Sequence, residues 1–220
     1  MAAQGDVNFQ AVYEGKESAQ NVPWVPWNID EPQPKIAELE PKGYFRSEVL
    51  DAGCGVGDTT MFLASRGYTA VGLDAAPAAI SAAKSRAAER GIDTTFDVAD
   101  LTALQGYKGR FKTVVDSGTL PAITHDRRSD YLATLAASTT DDARYIVLTF
   151  SHEAKAAMPV GPALFTEQDL RALIGKHWTV DTLTASTITA KLAPGKAEEA
   201  LGADEHGRVL VPAWLVIAHK

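Results

Sequence analysis

Apolar runs of strand length alternate with helix-forming stretches through most of the chain, and this alternation predicts a layered α/β fold. The pattern extends from residue 48 to about residue 174 and is typical of a doubly wound sheet, because parallel strands need a crossover helix between them. The predicted strands are residues 47–52, 69–74, 93–98, 111–116, 143–150, 177–188 and 208–218, and the predicted helices are residues 58–66, 77–90, 127–139 and 167–174.

Several predicted elements also have recognisable ends. Gly67 and Gly91 follow the first two helices as C-terminal stops, and Thr166 with Asp169 forms an N-cap pattern for the last helix. Beyond that helix, two long β-rich runs predict an antiparallel C-terminal hairpin at the sheet edge. Residues 191–207, which join the two runs, are expected to form a surface connection or a short helix.

Composition and charge limit the class of protein. The 220 residues are 45% hydrophobic, which is enough for one α/β domain with a substantial core. The chain contains no apolar run of about 18 residues and no secretory signal, so we expect no membrane association and a cytoplasmic location. Twenty-eight acidic and 21 basic residues give a formal charge of −7 without a basic run, which argues against a nucleic-acid partner. The single cysteine, Cys54, excludes a thiolate zinc cluster, and no metal is expected.

Three glycines at alternate positions follow the first predicted strand. Gly53, Gly55 and Gly57 can adopt positive φ angles, and the absence of a Cβ lets a ligand approach their backbone closely. The spacing differs from the dinucleotide pattern G-x-G-x-x-G, and no Gly-Lys-Ser/Thr follows as in a P-loop. Asp51, two residues before the first glycine, would repel a pyrophosphate and suits a cationic ligand. We expect Cys54 to fill a tight turn rather than to act as a nucleophile.

Acidic residues end each of the next three strands. Asp74, Asp100 and Asp116 follow apolar runs, and the carboxyl ends of parallel strands meet at one edge of the sheet. Asp74 could accept hydrogen bonds from both ribose hydroxyls of an adenosine. The alternative for this residue is to cap the helix that begins at Pro77.

The pattern D-x-G-x-G-x-G after an apolar strand resembles motif I of the class I S-adenosylmethionine-dependent methyltransferases. The resemblance implies a seven-stranded Rossmann-like sheet of order 3-2-1-4-5-7-6, with S-adenosylmethionine as cofactor and S-adenosylhomocysteine as product. It assigns Asp100 to the adenine amino group, the Ala99 amide to the adenine ring, and the segment at Asp116 and Ser117 to the methionine moiety and the substrate. The residues then expected at the cofactor are Trp27, Asp51, Gly53, Cys54, Gly55, Asp74, Ala75, Ala99, Asp100, Asp116 and Ser117.

The N-terminal extension, residues 1–46, carries Phe9, Tyr13, Trp24 and Trp27 in a polar segment, and these aromatic residues are expected to pack on the protein. They could pack on the outer surface of the domain or at the mouth of the crevice. The proline-rich path of residues 22–34 favours a lid over a domain at residues 47–220, because prolines stiffen an extended chain. The residues expected at the substrate are Phe9, Tyr13, Trp24, Met158 and Phe165.

The same segment, with its Pro-Trp and Pro-Gln-Pro sequences, is similar to the thiopurine-methyltransferase-like branch and to the actinobacterial heterocyclic toxin methyltransferases within it. That resemblance implies that Trp27 covers the cofactor, with Gln33 nearby. The subgroup tends to have an aromatic–histidine pair after the fourth strand, where this chain has Pro121. His125 and His152 are the candidate catalytic bases, although a histidine at such a position is more often a helix cap or an exposed loop residue.

The sequence therefore predicts a methyltransferase that acts on the oxygen or nitrogen of a small planar heterocycle such as a hydroxyquinolone. The alternatives are an NAD-dependent oxidoreductase and a non-catalytic S-adenosylmethionine-binding protein. The acceptor atom and the choice between monomer and homodimer stay open.

Overall fold

The predicted strands form one seven-stranded mixed sheet, of order β3-β2-β1-β4-β5-β7-β6, in a computed structural model that describes residues 7–17, 25–156, 158, 161–191 and 202–220. The strands are β1 Val49–Ala52, β2 Ala70–Asp74, β3 Thr95–Val98, β4 Phe111–Ser117, β5 Thr139–Phe150, β6 Thr179–Ala190 and β7 Val209–His219. The α-helices of the described residues are α1 Phe9–Tyr13, α2 Pro34–Ala37, α3 Asp58–Ser65, α4 Pro77–Glu89, α5 Arg128–Ser138 and α6 Glu167–Ile174.

The pairing of the strands confirms the expected topology. β1 pairs in parallel with β2 and with β4. The parallel part of the sheet continues on one side from β2 to β3 and on the other side from β4 to β5. β7 lies antiparallel between β5 and β6, as the C-terminal hairpin requires. β5 begins earlier than predicted, at Thr139, because Thr139 pairs with Phe111 before a register shift. The exposed Asp141 and Asp142 concealed this extension in the sequence.

Each face of the sheet is covered by its own hydrophobic cluster. On one face, Leu50, Val114 and Val147 pack with residues of α5 and α6. On the other face, Val49, Val115 and Ile146 pack with α2, α3 and the segment that joins α2 to β1. Neighbouring residues such as Val49 and Leu50 enter different clusters because side chains alternate across a strand. Part of the N-terminal extension therefore belongs to the core, and a division at residue 46 stays a prediction.

The helix ends follow the predicted signals. Thr166 and Asp169 form a reciprocal capping box at α6, in which each side chain accepts a hydrogen bond from the backbone of the other residue. Gly67 and Gly91 have φ angles of 88° and 64° just beyond α3 and α4. Most of the predicted connection at 191–207 lies outside the described residues. Among the residues that the structure describes, no helix has the length and apolar character to cross a membrane.

Candidate active site

The glycine loop, residues 53–57, turns from β1 into α3 at the carboxyl edge of the sheet. The φ angles of Gly53, Gly55 and Gly57 are 77°, 54° and 86°, a region that favours glycine. Gly53 and Cys54 donate their backbone N–H groups to the Leu73 carbonyl at 2.8 and 3.0 Å, which fixes the loop against the end of β2.

Each glycine of this loop also makes room for another part of the protein. A Cβ at Gly53 would lie 2.0 Å from Thr119 Oγ1, and a Cβ at Gly55 would lie 2.7 Å from the Tyr13 hydroxyl oxygen. A Cβ at Gly57 would meet the Phe96 ring at 2.7 Å. The loop is therefore packed on three sides.

Asp74 lies directly against the glycine loop. Its Oδ2 accepts a hydrogen bond from the Gly55 N–H at 2.9 Å, and its Oδ1 accepts one from the Ala76 N–H at 2.8 Å. The bond from Ala76 matches the alternative prediction that Asp74 caps the start of α4. The bond from Gly55 holds the carboxylate in the crevice. Because each carboxylate oxygen has two lone pairs, Asp74 can accept further hydrogen bonds there. Ala75, beside it, is exposed.

Asp51 supplies a second, deeply buried carboxyl group beneath the loop. It is 2% exposed, and its Oδ2 accepts a hydrogen bond from the Thr60 hydroxyl at 2.7 Å. Burial, together with the nearby charges of Asp74 and Asp58, raises the pKa of Asp51 to about 7. A cation in the crevice would stabilise the ionised form of Asp51, so Asp51 and Asp74 together fit a positively charged ligand.

The thiol of Cys54 lies in the same loop. Burial, together with the charges of Asp51 and Asp74, raises the pKa of this thiol well above its usual range, which disfavours a thiolate nucleophile.

Of the two residues expected to contact adenine, Asp100 is exposed and the Ala99 amide already has a partner. Asp100 is exposed at the end of β3, where its Oδ1 accepts hydrogen bonds from the backbone and the hydroxyl of Thr102 at 2.8 and 2.6 Å. Arg127 lies 3.6 Å from its other oxygen, and the pKa of Asp100 is lowered, first by the Thr102 hydrogen bond. The Ala99 N–H instead donates to the Asp74 carbonyl at 3.0 Å. The prediction that this amide donates to adenine is therefore wrong, because the N–H already extends the β2–β3 pairing.

The carboxylate of Asp116 faces the core, so any contact of the segment at Asp116 and Ser117 with the cofactor, which stays a prediction, does not involve this side chain. Asp116 is 0% exposed and accepts hydrogen bonds from the Tyr131 and Tyr145 hydroxyls at 2.8 and 3.0 Å. It also accepts the backbone N–H groups of Thr119 and Leu120 at 2.8 and 3.1 Å. Burial raises its pKa to about 6.

Asp116 thus shapes the turn after β4, in which Ser117 is half-buried. The sequence analysis missed Thr119 in this turn. Thr119 donates its hydroxyl to the Ala52 carbonyl at 2.7 Å and so ties the turn to the glycine loop. The one feature of the sequence that could have indicated this contact is the position of Thr119, a hydroxyl residue, directly after Gly118.

Three aromatic residues, Phe9, Tyr13 and Trp27, form what we call the aromatic lid. The ring centroids of Phe9 and Tyr13 lie 5.8 and 6.5 Å from that of Trp27, whose Nε1 donates to the Tyr13 hydroxyl at 3.1 Å. Gln10 accepts a hydrogen bond from the Ala78 N–H at 2.9 Å, which attaches α1 to the first turn of α4. Trp24 lies outside the described residues.

Tyr13, expected at the substrate, contacts the glycine loop at Gly55 instead. Burial, and to a lesser degree Asp74, raises the pKa of its hydroxyl well above the ordinary value, so that the group stays protonated. Gln33 lies away from the loop: it makes hydrogen bonds of 2.9 and 2.8 Å with the backbone of Thr189 at the end of β6. It therefore fastens this part of the N-terminal extension to the sheet edge.

The two candidate bases are exposed residues. His125 begins a 3-10 turn, and His152 begins another, in which its backbone N–H donates to the Phe165 carbonyl at 2.8 Å. The pKa of Asp169 is lowered first by the Thr166 hydrogen bonds and least by the charge of His152, which places His152 near the start of α6. Neither imidazole is enclosed with the glycine loop, so the geometry does not support either as a base.

Two predicted substrate residues belong to the core. Met158 is 5% exposed and packs in a cluster with Val209 and Val211. Phe165 is 4% exposed and packs in the cluster beneath α5 and α6, with the Arg128 guanidinium carbon 5.0 Å from its ring centroid. The prediction that Met158 lines the acceptor pocket is wrong, and Phe165 contributes at most its face beside Arg128.

Comparisons with known proteins find methyltransferases by sequence and related structures by fold. A methyltransferase-domain model matches residues 49–142. A 2-heptyl-1-hydroxyquinolin-4(1H)-one methyltransferase of Mycobacteroides abscessus is 40% identical over 96% of both chains. A protein solved in connection with the conversion of a disulfide bond into a thioacetal group during echinomycin biosynthesis is 31% identical, with a TM-score of 0.84 over 96% of this chain and 91% of that one. Magnesium protoporphyrin IX methyltransferase from Synechocystis PCC 6803, solved with S-adenosylmethionine, shares the fold at 21% identity, with a TM-score of 0.60 over 84% of this chain and 76% of that one.

Proposed function

The chain belongs to the class I S-adenosylmethionine-dependent methyltransferases, and from that premise we propose that it methylates a small planar heteroaromatic acceptor carrying an acidic hydroxyl group. The observation that carries the proposal is the 40% identity, over 96% of the chain, to a hydroxyquinolone methyltransferase. The aromatic lid across the glycine loop supports it, because flat rings pack well against aromatic side chains.

The residues at the crevice fit the cofactor of this family. The bound cofactor supplies a methyl group on a positively charged sulfur. The glycine loop offers close backbone approach, and Asp51 and Asp74 supply the negative charge that a cation requires. Asp74 would hold the ribose hydroxyls and Asp100 the adenine amino group.

The lid provides a dry environment above this crevice. Phe9, Tyr13 and Trp27 exclude water, and the protonated Tyr13 hydroxyl adds no charge. A dry site favours reaction between an anionic acceptor and a cationic donor, because the charges are dispersed in the transition state. We propose residues 1–46 as the lid segment, in which the aromatic lid covers the crevice and Ile36, Leu39 and Phe45 anchor the segment in the core.

The exposure of the two candidate bases favours an acceptor that ionises easily. His125 and His152 are placed at the surface, so the protein offers no enclosed imidazole at these positions to remove a proton from a weakly acidic alcohol. An acidic hydroxyl, such as the N-hydroxyl of a hydroxyquinolone, ionises more readily than a simple alcohol and needs little help from a base. Alignment of the acceptor with the methyl group then becomes the main contribution of the protein.

A transfer assay tests the proposal. The purified protein is incubated with S-adenosylmethionine and 2-heptyl-1-hydroxyquinolin-4(1H)-one, and mass spectrometry follows the methylated product and S-adenosylhomocysteine. Catechols, quinols and thiopurines serve as comparison acceptors. We expect turnover with the hydroxyquinolone and much slower turnover of simple alcohols.

Two outcomes would contradict the proposal. Calorimetric binding of S-adenosylhomocysteine without turnover of any acceptor would favour a non-catalytic binding protein. An increase in melting temperature with NAD but none with S-adenosylhomocysteine would favour the oxidoreductase alternative, since a ligand at 100 times its Kd should stabilise the protein by about 2.7 kcal/mol.

A further inference from the structure

We propose that Arg128, the first residue of α5, binds a negatively charged oxygen of the acceptor and thereby selects planar heterocycles that ionise to oxyanions. The inference rests on the proposed function and adds to it a residue that determines the substrate class. It arises from a largely buried cation, at the edge of the sheet where the crevice lies, that has no acidic partner among the described residues.

Arg128 lies between the two loops that follow β4 and β5. Its Nε donates to the Ile123 carbonyl at 3.0 Å in the first loop, and its guanidinium lies over the Phe165 ring in the second. The two loops are joined directly by a hydrogen bond of 3.1 Å from the Ala163 N–H to the Pro121 carbonyl. In α/β sheets of this kind, ligands bind outside the carboxyl ends of the strands, which is where these loops meet.

The same loop connects Arg128 to the proposed cofactor crevice. It begins at the turn in which Thr119 donates to the Ala52 carbonyl beside the glycine loop, and it reaches Arg128 through Ile123. Only the residues from Thr119 to Ile123 therefore separate the glycine loop from Arg128, and hydrogen bonds fix both ends of this stretch. An acceptor bound to Arg128 would lie next to the cofactor crevice.

The charge of Arg128 is unbalanced within the part of the chain that the structure describes. The residue is 8% exposed, and none of the ion pairs there involves it. Its neighbour Arg127 is in contrast half-exposed and lies near both Asp100 and Asp130. Desolvation lowers the pKa of Arg128, but a guanidinium stays charged at neutral pH. Its Nη atoms make no hydrogen bond within the described residues and are not sealed from solvent, so an acceptor anion can reach them and balance the charge.

The guanidinium is suited to this task because its geometry is fixed. The Ile123 carbonyl accepts from Nε, and the Phe165 ring covers one face of the guanidinium. The Nη atoms are left to donate to an oxygen that lies in the guanidinium plane. In a hydroxyquinolone anion the negative charge is shared between two oxygens. If Arg128 holds one oxygen, the other can face the methyl group, and the cation lowers the pKa at which the acceptor ionises.

The experiment compares Arg128→Met and Arg128→Lys with a matched control, Arg144→Met. Arg144 also lies over a ring, 5.1 Å from the Tyr44 centroid, and also donates to a backbone carbonyl, that of Tyr44 at 2.6 Å. It lies in β5 well before the carboxyl end of the strand. The control therefore reports the loss of a stacked arginine without the loss of the proposed oxyanion contact.

We measure KM, kcat and the pH dependence of kcat/KM with 2-heptyl-1-hydroxyquinolin-4(1H)-one. Arg128→Met should raise KM by about 10- to 100-fold, the range expected for loss of a hydrogen bond to a charged group, and should move the rise of kcat/KM to higher pH. Arg128→Lys should retain the pH profile with a smaller rise in KM, and Arg144→Met should match the wild-type protein. S-adenosylhomocysteine affinity should be unchanged in all three variants.

Calorimetric titration of the same hydroxyquinolone into the S-adenosylhomocysteine complex separates this inference from the proposed function. Loss of acceptor binding in Arg128→Met alone would support the inference even if no methyl transfer occurred in the wild-type protein. Equal acceptor affinity and equal pH profiles in Arg128→Met, Arg128→Lys and the wild-type protein would overturn it. If Arg128→Met does not fold, the Arg128→Lys variant decides, since unchanged KM there would also overturn the inference.

Discussion

The contact between Tyr13 and Gly55 provides a direct test of the aromatic lid. In Gly55→Ala the new Cβ would lie 2.7 Å from the Tyr13 hydroxyl oxygen but 3.7 Å from Cζ, the next ring atom. Only the hydroxyl therefore obstructs the added methyl group. Tyr13→Phe removes that oxygen and leaves an ordinary van der Waals contact.

The expected energies follow from two separate effects. Gly55 has a φ of 54°, and an L-residue in this region costs about 1 kcal/mol. The steric conflict displaces Tyr13 and breaks its hydrogen bond to Trp27, which adds about 1 kcal/mol. We expect Gly55→Ala to lower the free energy of unfolding by about 2 kcal/mol in the wild-type background and by about 1 kcal/mol in the Tyr13→Phe background.

The assay is urea unfolding of the four proteins of this double-mutant cycle, followed by circular dichroism. Gly67→Ala is the matched control, because Gly67 has a φ of 88° and no atom within 4 Å of its added Cβ. It should cost about 1 kcal/mol in both backgrounds. Additivity of Gly55→Ala and Tyr13→Phe within about 0.5 kcal/mol would refute the docking of Tyr13 on the glycine loop.

Three further substitutions test the remaining parts of the site. The raised pKa of Asp116, about 6, means that its contribution to stability is fully present below about pH 4 and is lost as the pH rises through 6. Asp116→Asn should remove roughly 1 kcal/mol of the stability difference between pH 7.5 and pH 5, measured by urea unfolding, and an unchanged difference would contradict this. Gln33→Ala should lower stability by about 2 kcal/mol through loss of two buried hydrogen bonds to Thr189, whereas a change below 0.5 kcal/mol would argue against the anchoring role. Asp74→Asn should weaken S-adenosylhomocysteine binding at least about 10-fold in calorimetry, because one amide hydrogen would face the N–H of Gly55 or Ala76, and equal affinity would remove Asp74 from the crevice.

The number of strands and their approximate positions could be predicted because local signals define them, whereas the order of the strands came from the family resemblance. Apolar runs mark β1, β2 and β4, and Pro77 and the Thr166–Asp169 pair mark the starts of α4 and α6. The placement of Asp74 beside the glycine loop follows from the same information, since parallel neighbouring strands end at one edge.

The orientation of Asp116 shows where local signals stop. Strand alternation places Asp116 on the face of Val114 rather than that of Val115, and Val114 packs in the cluster that contains Tyr131 and Tyr145. The sequence contains this alternation, but it cannot indicate that two tyrosines from α5 and β5 donate to the carboxylate.

The glycine loop illustrates why a motif alone does not assign a binding role to each residue. Thr119 occupies the space beside Gly53 and the Phe96 ring occupies the space beside Gly57, so these two glycines are needed for packing even without a ligand. Gly55 differs, because its neighbour is the hydroxyl of Tyr13 on a five-residue helix attached to α4 by a single described side-chain bond from Gln10. A short helix held in this way can move at small cost, whereas the Phe96 ring is fixed in the core. Entry to the crevice is therefore expected at Gly55, and the lid residue that must move is Tyr13.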